Sequence, residues 1–191
     1  MLAIVAPGQG AQTPGFLSGW IEDSTSRELL MQWSDLIEID LLRLGTTADA
    51  DIEELKANPP EKVRIIPLQV SGAFHTSVMA PAVAALEALI PSLTLGLPTI
   101  PTISNKDGAV VDDSAETLRR IVGQVAGPVR WDLCMQTMAE RGVTGVLEVA
   151  PGGTLTGLVK RAHPTIAQFA VKSPADIEAA QSFIAEHGGQ S

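Results

Sequence analysis

The stretch VTGVLEVAPGGTLTGLVKRAHPTIAQFAV, residues 143–171, decides the fold class. It opens with an apolar run at 143–149, turns at Pro151-Gly152-Gly153, continues with a helical pattern at 154–161 and ends in a second apolar run at 166–171. A strand, a helix and a second strand in this order form a unit whose two strands lie parallel in a buried sheet. The stretch therefore predicts an α/β fold.

The remaining sequence continues this alternation of strands and helices. The short apolar runs at 2–6 and 63–70 are typical of buried strands, and Asp107-Gly108 supplies the turn chemistry of a β-hairpin between 99–104 and 109–111. Helices are predicted at 34–44, 49–57, 78–90, 114–125, 129–141 and 174–186. Ser34 or Asp35 is the expected N-cap of the first helix, and Gly45 its end. We predict a single domain over residues 1–191 with a mostly parallel sheet.

Composition excludes several classes of function. The chain is 45% hydrophobic and 18% charged, which is the opposite of a disordered composition. Its formal net charge is −9, and no cluster of Lys and Arg is longer than a pair, so a nucleic-acid partner is not expected. The apolar run Met1–Ala6 is far too short to span a bilayer, and the single cysteine cannot form an intrachain disulfide. We therefore expect a cytoplasmic protein without a membrane partner.

Two short motifs each allow a structural and a functional interpretation. The loop Gly8-Gln9-Gly10 follows a strand, so it is either a plain turn or a loop that aims backbone N–H groups at an anion or a developing oxyanion. His75 follows the apolar run at 63–70, and it is either a structural side chain or a general base at the ligand edge of the sheet. Cys134 has apolar helical neighbours and is expected to be buried.

The other two histidines and the basic pairs are less informative. His163 precedes a proline, His187 lies in a Gly-rich tail, and no His, Cys or carboxylate spacing predicts a metal site. The pairs Arg119-Arg120 and Lys160-Arg161 are either solvated helix ends or local patches for an acidic partner.

Five groups of residues, in one fixed order, resemble those of a known enzyme family. They are Ala6–Gln12; Gly72–Thr76 with Met79–Pro81; Ser104-Asn105; Gln124 with Pro128–Trp131; and Glu148–Gly153 with Leu155–Leu158 and Lys160-Arg161. In this pattern the chain resembles the malonyl-CoA:acyl carrier protein transacylases of fatty acid biosynthesis. The resemblance implies an α/β-hydrolase-like acyltransferase core, with no resident cofactor. It also implies malonyl-CoA and acyl carrier protein as partners, and a coenzyme A thioester and a phosphopantetheine thiol as substrates.

The resemblance also implies roles for three residues. His75 matches the histidine that takes the proton of the nucleophilic serine, and Gln124 matches the glutamine whose main-chain carbonyl orients that imidazole. Gln9 matches the loop residue whose backbone N–H contributes to the oxyanion hole. These roles fit general chemistry, because a base needs an acceptor on its second nitrogen and a tetrahedral intermediate needs preorganised donors.

The chain departs from the family at the nucleophile. The family's serine lies in a strained elbow with glycine two residues before and two residues after it, and no serine of this chain has glycine at both positions. The arginine that holds the malonyl carboxylate in the family is absent too. An internal deletion after Gly45 accounts for both losses. It would remove the elbow and most of the small ferredoxin-like subdomain, with residues 51–68 as its remnant.

The deletion leads to three alternatives for function. The chain is a truncated S-malonyltransferase that is inactive alone, because a base without its nucleophile cannot form the acyl-enzyme. It is a non-catalytic module that binds acyl carrier protein through Lys62 and Arg64 or through the pair Lys160-Arg161. Or it is an enzyme with a substitute nucleophile, for which the candidates are Ser71, Ser77 and Ser104. Losing central strands would also expose apolar surface and favour oligomerisation or aggregation.

Overall fold

The computed structural model describes residues 1–8, 15–37, 40–46 and 74–189. The predicted helix at 49–57, the predicted strand at 63–70 and the proposed subdomain remnant at 51–68 lie outside the described residues. Gln9, Lys62, Arg64 and Ser71 lie outside them as well. None of the described helices is both long enough and apolar enough to cross a membrane.

A parallel sheet of three strands forms the centre of the fold. Its order is β1 (Leu2–Val5), β4 (Gly145–Glu148) and β5 (Ala167–Ala170), with Leu2 opposite Gly145 and Gly145 opposite Ala167. All four residues of β4 are buried, because the strand has a neighbour on each side and helices on both faces. The α/β architecture with a parallel sheet confirms the predicted fold class.

Helices cover the two faces of the sheet with separate apolar clusters. On one face Val146 packs with Met138 of α5 (Trp131–Glu140) and Val159 of α6 (Thr154–Ala162). On the other face Leu147 packs with Ala180 of α7 (Ile177–His187). Because neighbouring residues of a strand point to opposite faces, the adjacent pair Val146 and Leu147 serves both layers.

The middle of the chain supplies a hairpin and two helices beside this sheet. Strands β2 (Thr102–Ile103) and β3 (Val110–Val111) pair antiparallel as predicted, and α4 (Ser114–Gln124) follows with Asp113 as its N-cap. Helix α3 (Ala80–Glu87) is shorter than the predicted 78–90, since 3₁₀ turns at Ser77–Met79 and Ile90–Ser92 flank it.

The prediction for the first helix was wrong. Helix α1 covers Ser24–Ile37 and α2 covers Leu41–Thr46, so Ser34 lies inside a helix rather than at its start. The hydroxyl of Ser34 donates to the Leu30 carbonyl 2.7 Å away, four residues earlier in the same helix. The oxygen that caps α1 belongs to Asp23, which accepts the backbone N–H of Ser26 at 2.7 Å.

Candidate active site

His75 has an unusual backbone conformation. Its φ is +65°, and among the described residues it is the one non-glycine residue with a positive φ. The left-handed region costs a residue with a side chain roughly 1–3 kcal/mol, although histidine tolerates it better than most. Such strain persists where the surroundings fix the residue, which makes His75 a candidate for a functional position.

Two hydrogen bonds hold His75 against the end of α4. The ring Nδ1 lies 2.7 Å from the carbonyl oxygen of Gln124, and the backbone N–H donates to the carbonyl of Val125 at 2.8 Å. These carbonyls stand at the C-terminus of the helix, where the last carbonyls lack partners within the helix. The left-handed backbone thus lets one residue satisfy two consecutive carbonyls, which gives a physical reason for the strain.

The bond to Gln124 fixes the form of the neutral ring. A carbonyl oxygen only accepts hydrogen bonds, so Nδ1 must carry the proton and Nε2 must carry the lone pair. The residue is half-buried, and the ring of Phe74 lies beside it with ring centres 6.5 Å apart. An imidazole held in this way is equipped to accept a proton at Nε2.

No serine among the described residues is hydrogen-bonded to His75. Ser77 is exposed and opens the 3₁₀ turn that follows, whereas Ser104 is buried in the hairpin and accepts the N–H of Lys106 at 3.3 Å. Of the three residues with predicted roles, the structure therefore brings His75 and Gln124 together, and Gln9 lies outside the described residues. The catalytic roles themselves stay predictions.

Sequence reasoning missed a buried carboxylate at the end of β4. Glu148 is fully buried, and it accepts the backbone N–H groups of Gly153, Leu155 and Thr156 at 2.8, 3.1 and 2.9 Å and the Thr156 hydroxyl at 2.8 Å. Burial by itself would raise the pKa of Glu148, but these donors together lower it below its ordinary value. The carboxylate caps the N-terminus of α6 and fixes the turn at 149–153. Its signal in the sequence is an acidic residue that ends an apolar strand just before a helix.

The remaining candidates have structural explanations. Cys134 is buried as expected, its Sγ lies 3.4 Å from the carbonyl of Ser104, and burial raises the pKa of its thiol. The ring of His187 lies tilted against that of Phe183 with ring centres 4.5 Å apart, and its Nδ1 lies 3.2 Å from the hydroxyl of Thr144. Across the part of the chain that the structure describes, no three His, Cys, Asp or Glu side chains converge on a point that could hold a metal ion.

The chain is similar in sequence to curated proteins of one kind. It is 42% identical over 127 residues to the malonyl CoA-acyl carrier protein transacylase of Mycobacterium tuberculosis (strain ATCC 25618 / H37Rv), a match that covers 66% of this chain and 42% of the relative. The chain thus spans about two fifths of the length of this relative. No family model matches the chain.

The fold is similar to solved structures of the same kind. The crystal structure of MCAT from Mycobacterium tuberculosis superimposes with a TM-score of 0.79 at 26% identity, over 94% of this chain and 99% of that one. A chain of the solved complex between a holo type II PKS acyl-carrier protein and its malonyl-transacylase superimposes with a TM-score of 0.75 at 16% identity, over 95% of this chain and 99% of that one, which shows a shared fold alone.

Proposed function

We propose that the chain is an internally shortened member of the family of malonyl CoA-acyl carrier protein transacylases, one that keeps the base of an acyl-transfer site and lacks the nucleophile. The observation that carries the proposal is the contact of 2.7 Å between Nδ1 of His75 and the carbonyl oxygen of Gln124. It leaves Nε2 as the proton acceptor that a nucleophilic hydroxyl would need.

The two kinds of comparison together support an internal deletion. The aligned 127 residues are 42% of the M. tuberculosis relative, which is therefore about 300 residues long, whereas this chain has 191. The superposition nevertheless covers 99% of the M. tuberculosis structure. When a shorter chain superimposes on a longer one from end to end, the shorter chain is expected to lack a segment inside the fold. The segment that carries the elbow in the family is the one that we expect to be missing here. In this proposal residues 1–191 form one domain, with 51–68 as the remnant of the small subdomain.

The proposed chemistry follows from what is kept and what is lost. In the complete reaction a serine would attack the thioester of malonyl-CoA while the imidazole takes its proton. The C–S bond would then break, and coenzyme A would leave as the free thiol with the proton from the imidazole. The acyl group would then pass to the phosphopantetheine thiol of an acyl carrier protein, and no resident cofactor is needed. Removing the nucleophile from such a unit removes nearly all the benefit of its other members. We therefore propose that the chain alone forms no acyl-enzyme, in the cytoplasmic setting expected from its sequence.

Incubation with radiolabelled malonyl-CoA tests the loss of the nucleophile. We expect stoichiometric, hydroxylamine-sensitive labelling of the M. tuberculosis relative, the positive control, and none of this chain. Stoichiometric label on this chain would contradict the proposal. If that label disappeared in Ser77→Ala or Ser104→Ala, the alternative of a substitute nucleophile would replace it.

A graft tests the retained base. The segment of the relative that carries its elbow is inserted between Thr47 and Asp51, which lie at the expected junction in the sequence. The graft should become labelled, and the same graft with His75→Ala should lose the label, with His163→Ala as the matched control. A graft that folds, by circular dichroism, and stays unlabelled would contradict the proposed role of His75.

A non-catalytic role in binding acyl carrier protein is the second candidate. Lys160 and Arg161 are exposed in the last turn of α6, and neither forms an ion pair with a described residue. In a chain of net charge −9 this pair is a local positive patch that an acidic carrier could use. Titration with a holo acyl carrier protein at low salt should then show binding that Lys160→Glu weakens and Arg27→Glu leaves unchanged. No binding at tens of micromolar would exclude this role.

A further inference from the structure

The C-terminal end of α4 explains why the carbonyl of Gln124 is free to hold His75. In a continuing helix this carbonyl would accept the N–H of the residue four positions later. That residue is Pro128, which has no N–H. The carbonyl that faces the imidazole is thus kept without a competing donor from its own helix.

The side chain of Gln124 makes two further hydrogen bonds at the same place. Its Nε2 donates to the carbonyl of Gly127 at 2.9 Å and to the carbonyl of Pro128 at 2.8 Å. The backbone of the turn also folds back onto α4, since the N–H groups of Ala126 and Gly127 donate to the Gly123 carbonyl at 3.3 and 3.1 Å. One residue therefore contacts His75 through its main chain and fixes the following turn through its side chain.

We propose that the side-chain amide of Gln124, acting with Pro128, is a positioning group that keeps the Gln124 carbonyl directed at Nδ1 of His75. A side chain unable to donate would release the two carbonyls of the turn, and the peptide group of Gln124 would then be free to rotate away from the imidazole. The amide touches neither substrate nor the reacting nitrogen Nε2, so its effect passes through the carbonyl. The inference rests on the proposed function only in treating His75 as the base.

These hydrogen bonds of Gln124 should control which tautomer the neutral His75 ring adopts. Loss of one neutral hydrogen bond to Nδ1 should shift the ratio of the two tautomers toward the Nε2–H form by about fivefold. A residue that merely stabilised the fold would leave this ratio unchanged while lowering the melting temperature. Tautomers are distinguished by ¹⁵N NMR of the imidazole, and the measurement needs neither substrate nor nucleophile.

The experiment compares the unmodified chain with three variants at a pH where the ring is neutral. The unmodified chain should hold the Nδ1–H tautomer. Gln124→Met, which keeps the length of the side chain but removes the donor, should shift the ratio about fivefold, and so should Pro128→Ala, which restores a competing N–H. Gln136→Met is the matched control, because the Nε2 of Gln136 donates to exposed Glu140 at 2.8 Å on α5 and to no other residue that the structure describes.

Each result decides the proposal. An Nε2–H ring in the unmodified chain overturns it at once, and so does an unchanged ratio in a folded Gln124→Met variant. If that variant does not fold, Pro128→Ala decides, and a shift there supports the proposal while an unchanged ratio overturns it. If neither variant folds, a through-bond coupling between the Nδ1–H group and the Gln124 carbonyl is measured in the unmodified chain, and its absence overturns the proposal. Since no acyl group is involved, failure here is distinguishable from failure of the proposed transfer function.

Discussion

Replacing Glu148 by Gln should expose how strongly a buried carboxylate holds the end of β4. Three of its four hydrogen bonds fall on Oε2, from the N–H of Gly153 and from the N–H and hydroxyl of Thr156, while Oε1 accepts only Leu155. A glutamine can place its one oxygen at the Oε2 position, but its NH₂ group must then face the N–H of Leu155. The N–H of Leu155 then has no acceptor, the new NH₂ group faces that N–H, and the other bonds lose their charge.

The expected cost follows from these contacts. An unsatisfied buried donor costs about 1–3 kcal/mol, and a charge-assisted hydrogen bond exceeds a neutral one by roughly 1 kcal/mol, while the uncharged side chain is easier to bury. We therefore expect Glu148→Gln to lower the free energy of unfolding by about 2–4 kcal/mol near neutral pH. For a chain of this size each kcal/mol corresponds to about 2–4 °C of melting temperature.

The dependence on pH distinguishes this explanation from a simple packing defect. The folded structure lowers the pKa of Glu148, so its stabilising contribution is complete above the ordinary glutamate value of about 4.3 and disappears as the pH falls through the folded value. The difference in stability between the unmodified chain and Glu148→Gln should accordingly be largest near pH 7 and shrink below about pH 4. Denaturant titrations at several pH values measure it, with Glu87→Gln on the exposed face of α3 as control. A difference independent of pH, or no larger than that of the control, would refute the reasoning.

Three further tests address the local structure. Gly108→Ala would place a Cβ 2.7 Å from the backbone of α5 at a φ of +71°, and it should lower the free energy of unfolding by about 2–4 kcal/mol. Gly123→Ala, where a Cβ has nothing within 4 Å, should raise the free energy of unfolding by up to about 1 kcal/mol. Denaturant titrations that gave equal shifts for the two variants would contradict this. Because Asp113 caps α4, Asp113→Ala should lower the free energy of unfolding by about 1 kcal/mol, and Asp113→Asn by a fraction of that. If the two variants lowered the melting temperature equally, this would argue against the cap. Cys134 should react with a thiol reagent far more slowly in the native protein than in urea, because it is buried and its pKa is raised, and similar rates would show that it is accessible.

Short-range signals account for the elements that the sequence predicted well. The strand, turn and helix at 143–161 and the Asp107-Gly108 turn each depend on neighbouring residues, and their elements appear within a few residues of the predicted bounds. The prediction of where the first helix begins was wrong because it, too, depended on a local signal, and here that signal was misleading. Ser34 precedes an apolar stripe and looks like a cap, but the competing cap at Asp23 lies eleven residues earlier, and the hydroxyl of Ser34 donates to a carbonyl inside the helix.

The candidate site could not be assembled from local patterns. His75 and Gln124 are 49 residues apart in the sequence, and only the family resemblance joined them. The carbonyl of Val125 carries no side-chain signal at all, because any residue supplies a carbonyl. Glu148 stood in a matched motif without a role, since its importance depends on burial and on the direction of three N–H groups at the start of α6. These properties belong to the folded chain, so the sequence pattern alone does not contain them.

Buried and exposed apolar side chains are unevenly distributed along the described residues. The buried apolar residues that the structure describes lie between Val111 and Ala180. Ile4 and Leu36 in the first elements are 61% and 80% exposed, and Val78 and Leu97 on either side of α3 are 72% and 93% exposed. Removing central strands is expected to leave such surfaces, which is why oligomerisation or aggregation stays a prediction for this chain. Both hydrogen bonds of His75 are made to carbonyls at the C-terminal end of α4, a helix whose Val122 is buried. Under the proposed function, orientation of the base and completion of the acyl-transfer site are separate properties, because the contacts that orient His75 do not involve a nucleophile.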